Sequence, residues 1–454
     1  MLTAISPLDG RYEEKLAPLQ RYFSEDALIR ERCAIEIRYI SYLIRKAGIF
    51  RLSRAEQKRL ADAASDCSSI DVARVKEIES TVRHDVKAVE YYLRERFDFL
   101  DPNVIHFGLT SEDINNLAYS RLFAGFMTEC QLPRLRELLT LLCSLAEAWE
   151  RAPFPTRTHG QPASPSTAGK ELAVFISRLT RVFTALKAFR FRGKLNGATG
   201  NYSAPAAAFP NVDWPGISRG FVESLALEFN PATTQIEGHD AWAEYFDLTR
   251  RLNNIVIDMN QDIWTYLMLG FLTQTSNPDE VGSSTMPHKV NPIRFENGEG
   301  NLQLSNGLLA TLSDKLCRSR LQRDLSDSTV TRSIGTALAH SHLALGETIG
   351  GLGTLRLDAE ACLRDLREHP ELLAEPIQTI LRAEGVPNPY ERLKEFTRGK
   401  RLSPASLSAF IGELDVAAPV KRRLKALKVE EYVGLAPEIC RRVVAETRRE
   451  LRKK

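Results

Sequence analysis

Cysteine is scarce and scattered in this chain of 454 residues: seven in all, at 33, 67, 130, 143, 317, 362 and 440, with no CxxC pair. An odd, dispersed set argues against both a disulfide framework and a cysteine zinc site, and it fits a reducing cytoplasm. Net charge is equally slight, +3 from 61 basic and 58 acidic residues, too balanced to suggest a polyanionic partner. A charge-free stretch near the centre, Ile263 to Asn277, is 15 residues long and carries polar groups. A membrane span needs about 20 apolar residues, so none is expected. The start, Met1-Leu2-Thr3-Ala4-Ile5, has no basic region ahead of an apolar run, and no signal peptide is expected. Strand alternation is hard to find, and neither GxGxxG nor GxxxxGK[ST] occurs, so neither of those phosphate loops is available.

What remains is a helical protein. The composition is that of a globular chain, 43% hydrophobic and 26% charged. Leu135, Leu138, Leu139, Leu142 and Leu145 share one face at helical spacing, as do Leu172, Phe175, Ile176, Leu179, Val182, Phe183 and Leu186. A third stripe runs through Leu248, Leu252, Ile255, Met259, Ile263 and Leu267. Ile263 to Leu269 is apolar on more than one side, so a neighbouring subunit is expected to cover it. The expected class is all-α. A long central helical bundle, residues 112–354, is flanked by smaller helical domains at 1–111 and 355–454.

Five polar clusters stand out from these stripes. Gly282-Ser283-Ser284-Thr285-Met286-Pro287-His288-Lys289-Val290-Asn291-Pro292 places two hydroxyls, a lysine and an asparagine before a helical pattern. Asn291 suits an N-cap and Pro292 a first turn, and free N–H groups with a positive dipole end attract an anion. Arg83-His84-Asp85 opens a charged segment, and Thr110 with Asp113 makes a capping signature at His106 to Asp113. His159, in Thr156 to Pro165, lies on a constrained loop or first turn between prolines. Gln322 to Arg332 brings Arg323 and Arg332 among hydroxyls, and arginine forks suit carboxylate or phosphate oxygens. Each cluster also has a plain structural explanation: a charged face, a cap, a core histidine, a salt-bridged turn. Together they point to acid/base chemistry on a small polyanion, with a histidine able to titrate near neutral pH.

The 282–292 loop resembles the signature of the fumarase/aspartase superfamily. The whole chain resembles adenylosuccinate lyases of the longer bacterial type. Further markers are Asp9-Gly10-Arg11-Tyr12, His84 to Glu90, His106 to Asp113, Thr158 to Pro162, Thr233 to Glu237 and Gln322 to Arg332. His288 fits that family, where fumarases usually carry glycine and argininosuccinate lyases glutamine. The resemblance implies β-elimination of fumarate from adenylosuccinate, giving AMP, and from succinylaminoimidazole-carboxamide ribotide, with no metal and no cofactor. It implies Ser283 as general base and His159 as general acid, with Glu296 as the histidine's partner, Lys289 in the carboxylate cradle and His84 assisting. Arg11, Tyr12, Arg323, Ser328, Thr329, Val330, Thr331 and Arg332 are implied at the nucleotide end, with Arg83, His84 and Asp85 alongside. Thr110, Ser111, Gln235, Ser284, Lys289, Val290, Asn291 and Asn297 are implied around the succinyl group. It further implies a cytoplasmic homotetramer whose sites draw on three subunits, closed by the 276–292 loop.

Other leaving groups remain open at this level, as in argininosuccinate lyase, fumarase or aspartase. So does a structural role, because this superfamily fold also serves as a lens protein. The tail from Arg441 to Lys454, with seven basic residues, is more simply a solvated helix face than a nucleic-acid module.

Overall fold

The computed structural model describes residues 3–275, 286, 289–398 and 402–453. Helices dominate, as the periodicity predicts. The longest are Glu25–Lys46, Ala168–Ala188, Asp240–Met268, Ile293–Leu316 and Ile334–Thr354. The stripes bury as expected: Leu135, Leu138, Leu139 and Leu142 are each at 0% exposure, as are Ile176, Leu179 and Leu186. The other side of the doubly apolar segment is open. Trp264, Met268 and Leu269 are exposed, as are Val174 on the Ala168–Ala188 helix and Leu304 on the Ile293–Leu316 helix.

Strands add a detail that the alternation pattern does not reveal. Three two-stranded sheets are present among the described residues, and the largest pairs Pro153–Thr158 with Gln161–Thr167. Cys33, Cys130, Cys143, Cys317, Cys362 and Cys440 are free thiols. Among the described residues no helix is long and apolar enough to cross a membrane.

Contacts divide the chain into two compact units. Unit one takes Met1–Leu135, Val182–Asn254 and Gly300–Leu345, and unit two takes Arg136–Arg181, Ile255–Glu299 and Gly346–Lys454. Within unit one, Ile29, Cys33, Ile37 and Ile40 of the Glu25–Lys46 helix pack with Val75, Ile78, Val89 and Leu93. Polar groups are also buried there, each with a partner: Asn253 donates to Ser305 and Asn306 and accepts from Ser341, and Gln131 donates to Thr249. Such pairs satisfy the desolvated groups and resist sliding of one helix on another. Unit two carries a similar pair, Asn260 to Thr348 at 3.0 Å, and its own apolar cluster around Leu366, Ile377, Leu381 and Ile411.

The most demanding burial in unit one is ionic. Lys194 Nζ lies 2.9 Å from Asp113 Oδ1, and both side chains are at 0% exposure. Asp113 also accepts the N–H groups of Thr110, Asn196 and Gly197, and Lys194 donates to the Gly197 carbonyl at 2.9 Å. Removing one partner leaves a buried charge alone, at a cost of about 3–5 kcal/mol. We expect Asp113→Ala to lower the thermal midpoint steeply. Asp113→Leu/Lys194→Met should not recover it, because three backbone donors stay orphaned. Full recovery in the double variant would contradict this account.

His342 gives a pH-dependent counterpart. Burial strips its ring of water, and Arg134 adds like charge, so its pKa falls from 6.5 to about 4. The unfolded chain therefore takes up the proton first. The contribution of neutral, buried His342 to stability is complete above pH 6.5 and is lost, by about 3 kcal/mol, as pH falls toward 4. Thermal unfolding at pH 7 and pH 4.5 should show a smaller loss for His342→Leu than for the native chain.

Candidate active site

Unit one gathers most of the expected anion-binding groups at helix starts. Arg83 ends one helix in the left-handed region, φ 54°, and His84 caps the next, Asp85–Arg96. His84 Nδ1 accepts the Lys87 N–H at 3.2 Å, which leaves Nε2 as the nitrogen that carries the proton to solvent. Asp85 accepts the Val86 N–H at 2.8 Å and pairs with Arg32 at 2.8 Å. Burial alone would raise the Asp85 carboxyl; the Arg32 guanidinium and the Val86 N–H outweigh it and hold it below the usual carboxylate range.

Arg32 is a residue of this neighbourhood that the motifs do not reveal. It is 5% exposed, and its Nε donates to Asn115 at 2.9 Å, so it ties the start of the Asp85–Arg96 helix to the Ser111–Phe126 helix. Its one sequence signal is a charge on the otherwise apolar face of Ile29, Cys33 and Ile37. Tyr119 feels Arg32, Glu112, Asp85 and Arg332; burial first of all raises its hydroxyl pKa. Glu112, also buried, faces Arg323 at 3.6 Å. Asp85, Glu112, Arg323 and Arg332 thus share one neighbourhood.

Thr110 and Ser111 stand at the start of the Ser111–Phe126 helix. The turn that Asp113 anchors at Asn196 and Gly197 also accepts Gln235, whose Nε2 donates to the Ala198 carbonyl at 3.0 Å. Gly200 permits this closeness: at φ +78° a Cβ there would lie 2.0 Å from the Thr233 carbonyl oxygen. Thr110, Ser111 and Gln235 are therefore fastened to one turn. Just before them His106 pairs with the buried Glu36; burial opposes the charged ring, yet Glu36 prevails and raises the pKa. Ser328, Thr329, Val330 and Thr331 form the short Ser326–Thr331 helix, where Thr329 and the following Arg332 are exposed and Thr331 is buried. Arg11 and Tyr12 precede the Glu13–Leu16 turn of helix, with Arg11 exposed.

Unit two holds the remaining groups. His159 and Gly160 are the two-residue turn of the hairpin, with Thr158 opposite Gln161. Their φ angles, 54° and 76°, are both positive, as a type I′ turn requires. The turn projects an exposed His159 that makes no hydrogen bond to a described residue. Glu296, in the first turn of the Ile293–Leu316 helix, accepts the Trp264 indole N–H at 3.1 Å, so within one chain it is not joined to His159. Pro292 is the cap of that helix, since its carbonyl accepts the Glu296 N–H at 3.3 Å, one residue later than the sequence suggests. Lys289 and Val290 are exposed and Asn291 and Asn297 half-buried. Ser283, Ser284 and His288 lie outside the described residues.

A lyase family model matches residues 11–304, and a model for the adenylosuccinate lyase C-terminal region matches 319–433. Over 450 residues the chain is 45% identical to adenylosuccinate lyase of Haemophilus influenzae, covering 97% of this chain and 99% of that one. Over 443 residues it is 45% identical to the Escherichia coli adenylosuccinate lyase, covering 96% and 97%. Among solved structures, 3-carboxy-cis,cis-muconate lactonizing enzyme from Pseudomonas putida aligns with a TM-score of 0.77 at 21% identity, covering 96% and 97%. A fumarate lyase from a Mesorhizobium species gives 0.77 at 17%, covering 94% and 97%. At those identities the likeness is one of fold.

The hairpin turn yields a direct test. Gly160→Val forces a β-branched residue to φ +76°, which costs on the order of 1–3 kcal/mol. Gly160→Asn, a residue tolerant of that region, should cost much less. Equal thermal midpoints for the two variants would refute the type I′ assignment.

Proposed function

We propose, from the premise that the chain belongs to the adenylosuccinate lyase family of the fumarase/aspartase superfamily, that its residues divide one elimination among an acid, a base and a carboxylate cradle. The chain is a fumarate-releasing lyase. It cleaves the carbon–nitrogen bond of adenylosuccinate to AMP and fumarate, and the same bond in succinylaminoimidazole-carboxamide ribotide, in purine biosynthesis.

The difficult step is removal of a proton from carbon beside a carboxylate that is already negative. Its product is a dianionic aci-carboxylate, which needs donors aimed at the oxygens as charge arrives. Lys289, Asn291, Asn297 and the backbone N–H groups of the signature loop supply them, with Thr110, Ser111, Gln235, Ser284 and Val290 around the succinyl group. Ser283, as alkoxide, takes the carbon-bound proton. The C–H electron pair becomes the new carbon–carbon double bond, and the C–N pair leaves on nitrogen, which His159 protonates. A hydroxyl is a weak base near neutral pH, so the alkoxide depends on Lys289 and the adjoining helix end. Glu296 steadies the imidazolium.

At the other end of the substrate, Arg11, Tyr12, Arg323, Ser328, Thr329, Val330, Thr331 and Arg332 hold phosphate and ribose, with Arg83, His84 and Asp85 beside them. Arg32 acts through Asp85 as a positioning residue. In a cytoplasmic homotetramer each site draws on three subunits, the 112–354 bundle is completed by its neighbours, and closure of 276–292 excludes water. Three observations support that assembly. Trp264, Met268 and Leu304 expose apolar surface. His159 is exposed and makes no hydrogen bond to a described residue. Glu296 is engaged by Trp264.

The observation that carries the assignment is 45% identity over 97% of the chain, joined to an intact His159, Ser283, Lys289, Asn291 and Glu296. The test follows fumarate by ultraviolet absorbance. Ser283→Ala and His159→Gln should each lose roughly 10²–10⁴-fold in turnover while still binding AMP. Mixing the two inactive proteins and letting subunits exchange should restore activity, because some hybrid sites then receive both native residues. Near-full turnover by Ser283→Ala, or no rescue on exchange, would overturn the division of roles.

A further inference from the structure

We propose that unit one carries a second anion site, lined by none of the residues assigned to the elimination, whose ligand is a nucleoside triphosphate or a molecule of that chemistry. A cavity of about 930 Å³ is lined by residues of the Glu25–Lys46, Arg54–Ser65 and Trp214–Ser224 helices. Its apolar side is formed by Tyr42, Ala61 and Ala64 over the buried Leu60, Phe221 and Leu225, with the Tyr42 ring edge-on to Phe221 at 5.5 Å. Five cations complete it: Arg38, Arg45, Lys46, Lys58 and Arg121.

No aspartate or glutamate is among the lining residues. The nearest compensation is Glu31, which pairs with Arg121 and stands 3.9 Å from Arg38. Arg45, Lys46 and Lys58 form no ion pair with a described residue, and Arg45 spends its Nε on the Ser41 carbonyl. So the cavity offers an apolar side and a concentrated positive field.

Ligand chemistry follows from satisfying both at once. A small dicarboxylate would leave the apolar side bare. An aliphatic acid would leave most of the cations unanswered. A flat ring joined to a multiply charged tail lies against Tyr42, Ala61 and Ala64, and presents phosphate oxygens to guanidinium and ammonium groups. None of the lining residues belongs to the elimination as assigned above, so the site stands or falls separately from it.

Isothermal titration of magnesium-free ATP into the whole protein tests this, beside Arg45→Glu/Lys58→Glu, the milder Arg45→Gln/Lys58→Gln, and inorganic tripolyphosphate as a ligand without a ring. Both altered residues are exposed, so fold and turnover should be unchanged. The expected result is ATP binding that weakens at least about tenfold in the charge-reversed protein, less in the glutamine variant, and that tripolyphosphate matches only weakly. Absence of ATP binding, or an isotherm indifferent to both double variants, would overturn the site. Equal affinity for tripolyphosphate would overturn its assignment to a nucleoside.

Discussion

Lys194 and Asp113, at 2.9 Å and without exposure, are the contact on which the placement of Thr110, Ser111 and Gln235 in unit one depends. Opposite charges so deeply buried persist only when every remaining donor and acceptor finds a partner. Here the partners are backbone: the N–H groups of Thr110, Asn196 and Gly197 on the aspartate, the Gly197 carbonyl on the lysine. One ion pair thereby joins the start of the Ser111–Phe126 helix to the turn that receives Gln235. Positions distant in sequence become one rigid support.

A second buried cation works alongside it. Arg32 grips Asp85 and Asn115, and its field reaches Tyr119 together with those of Glu112 and Arg332. Unit one thus holds in place the groups proposed to receive anionic substrate, whereas unit two contributes His159, raised on a two-residue turn. Preorganisation matters for this chemistry, since donors already aimed at a developing dianion need no reorganisation when charge arrives.

Much of the helical framework is legible in the sequence because burial imposes a 3.6-residue rhythm, and the Leu172 to Leu186 stripe buries as its spacing requires. Polar clusters at Arg83–Asp85, Thr110–Asp113 and Arg323–Arg332 are legible as well, being conspicuous among apolar neighbours. Three features are not. The hairpin carries prolines in both strands and a His-Gly turn in place of Asn-Gly, so its local signal is faint. Lys194 looks like any lysine until Asp113, far away in sequence, is brought to it. Arg32 sits in an apolar helix face whose charge has meaning only once Asp85 is folded against it. All three depend on tertiary pairing, which periodicity cannot encode.

A crystal structure of the assembled oligomer with AMP and fumarate bound measures the central claim most directly. The account predicts His159 of one subunit and Ser283 of another on opposite sides of the bond between nitrogen and the succinyl carbon, with Lys289 at the fumarate carboxylate. Fumarate bound with His159 still facing bulk solvent in every subunit would contradict it.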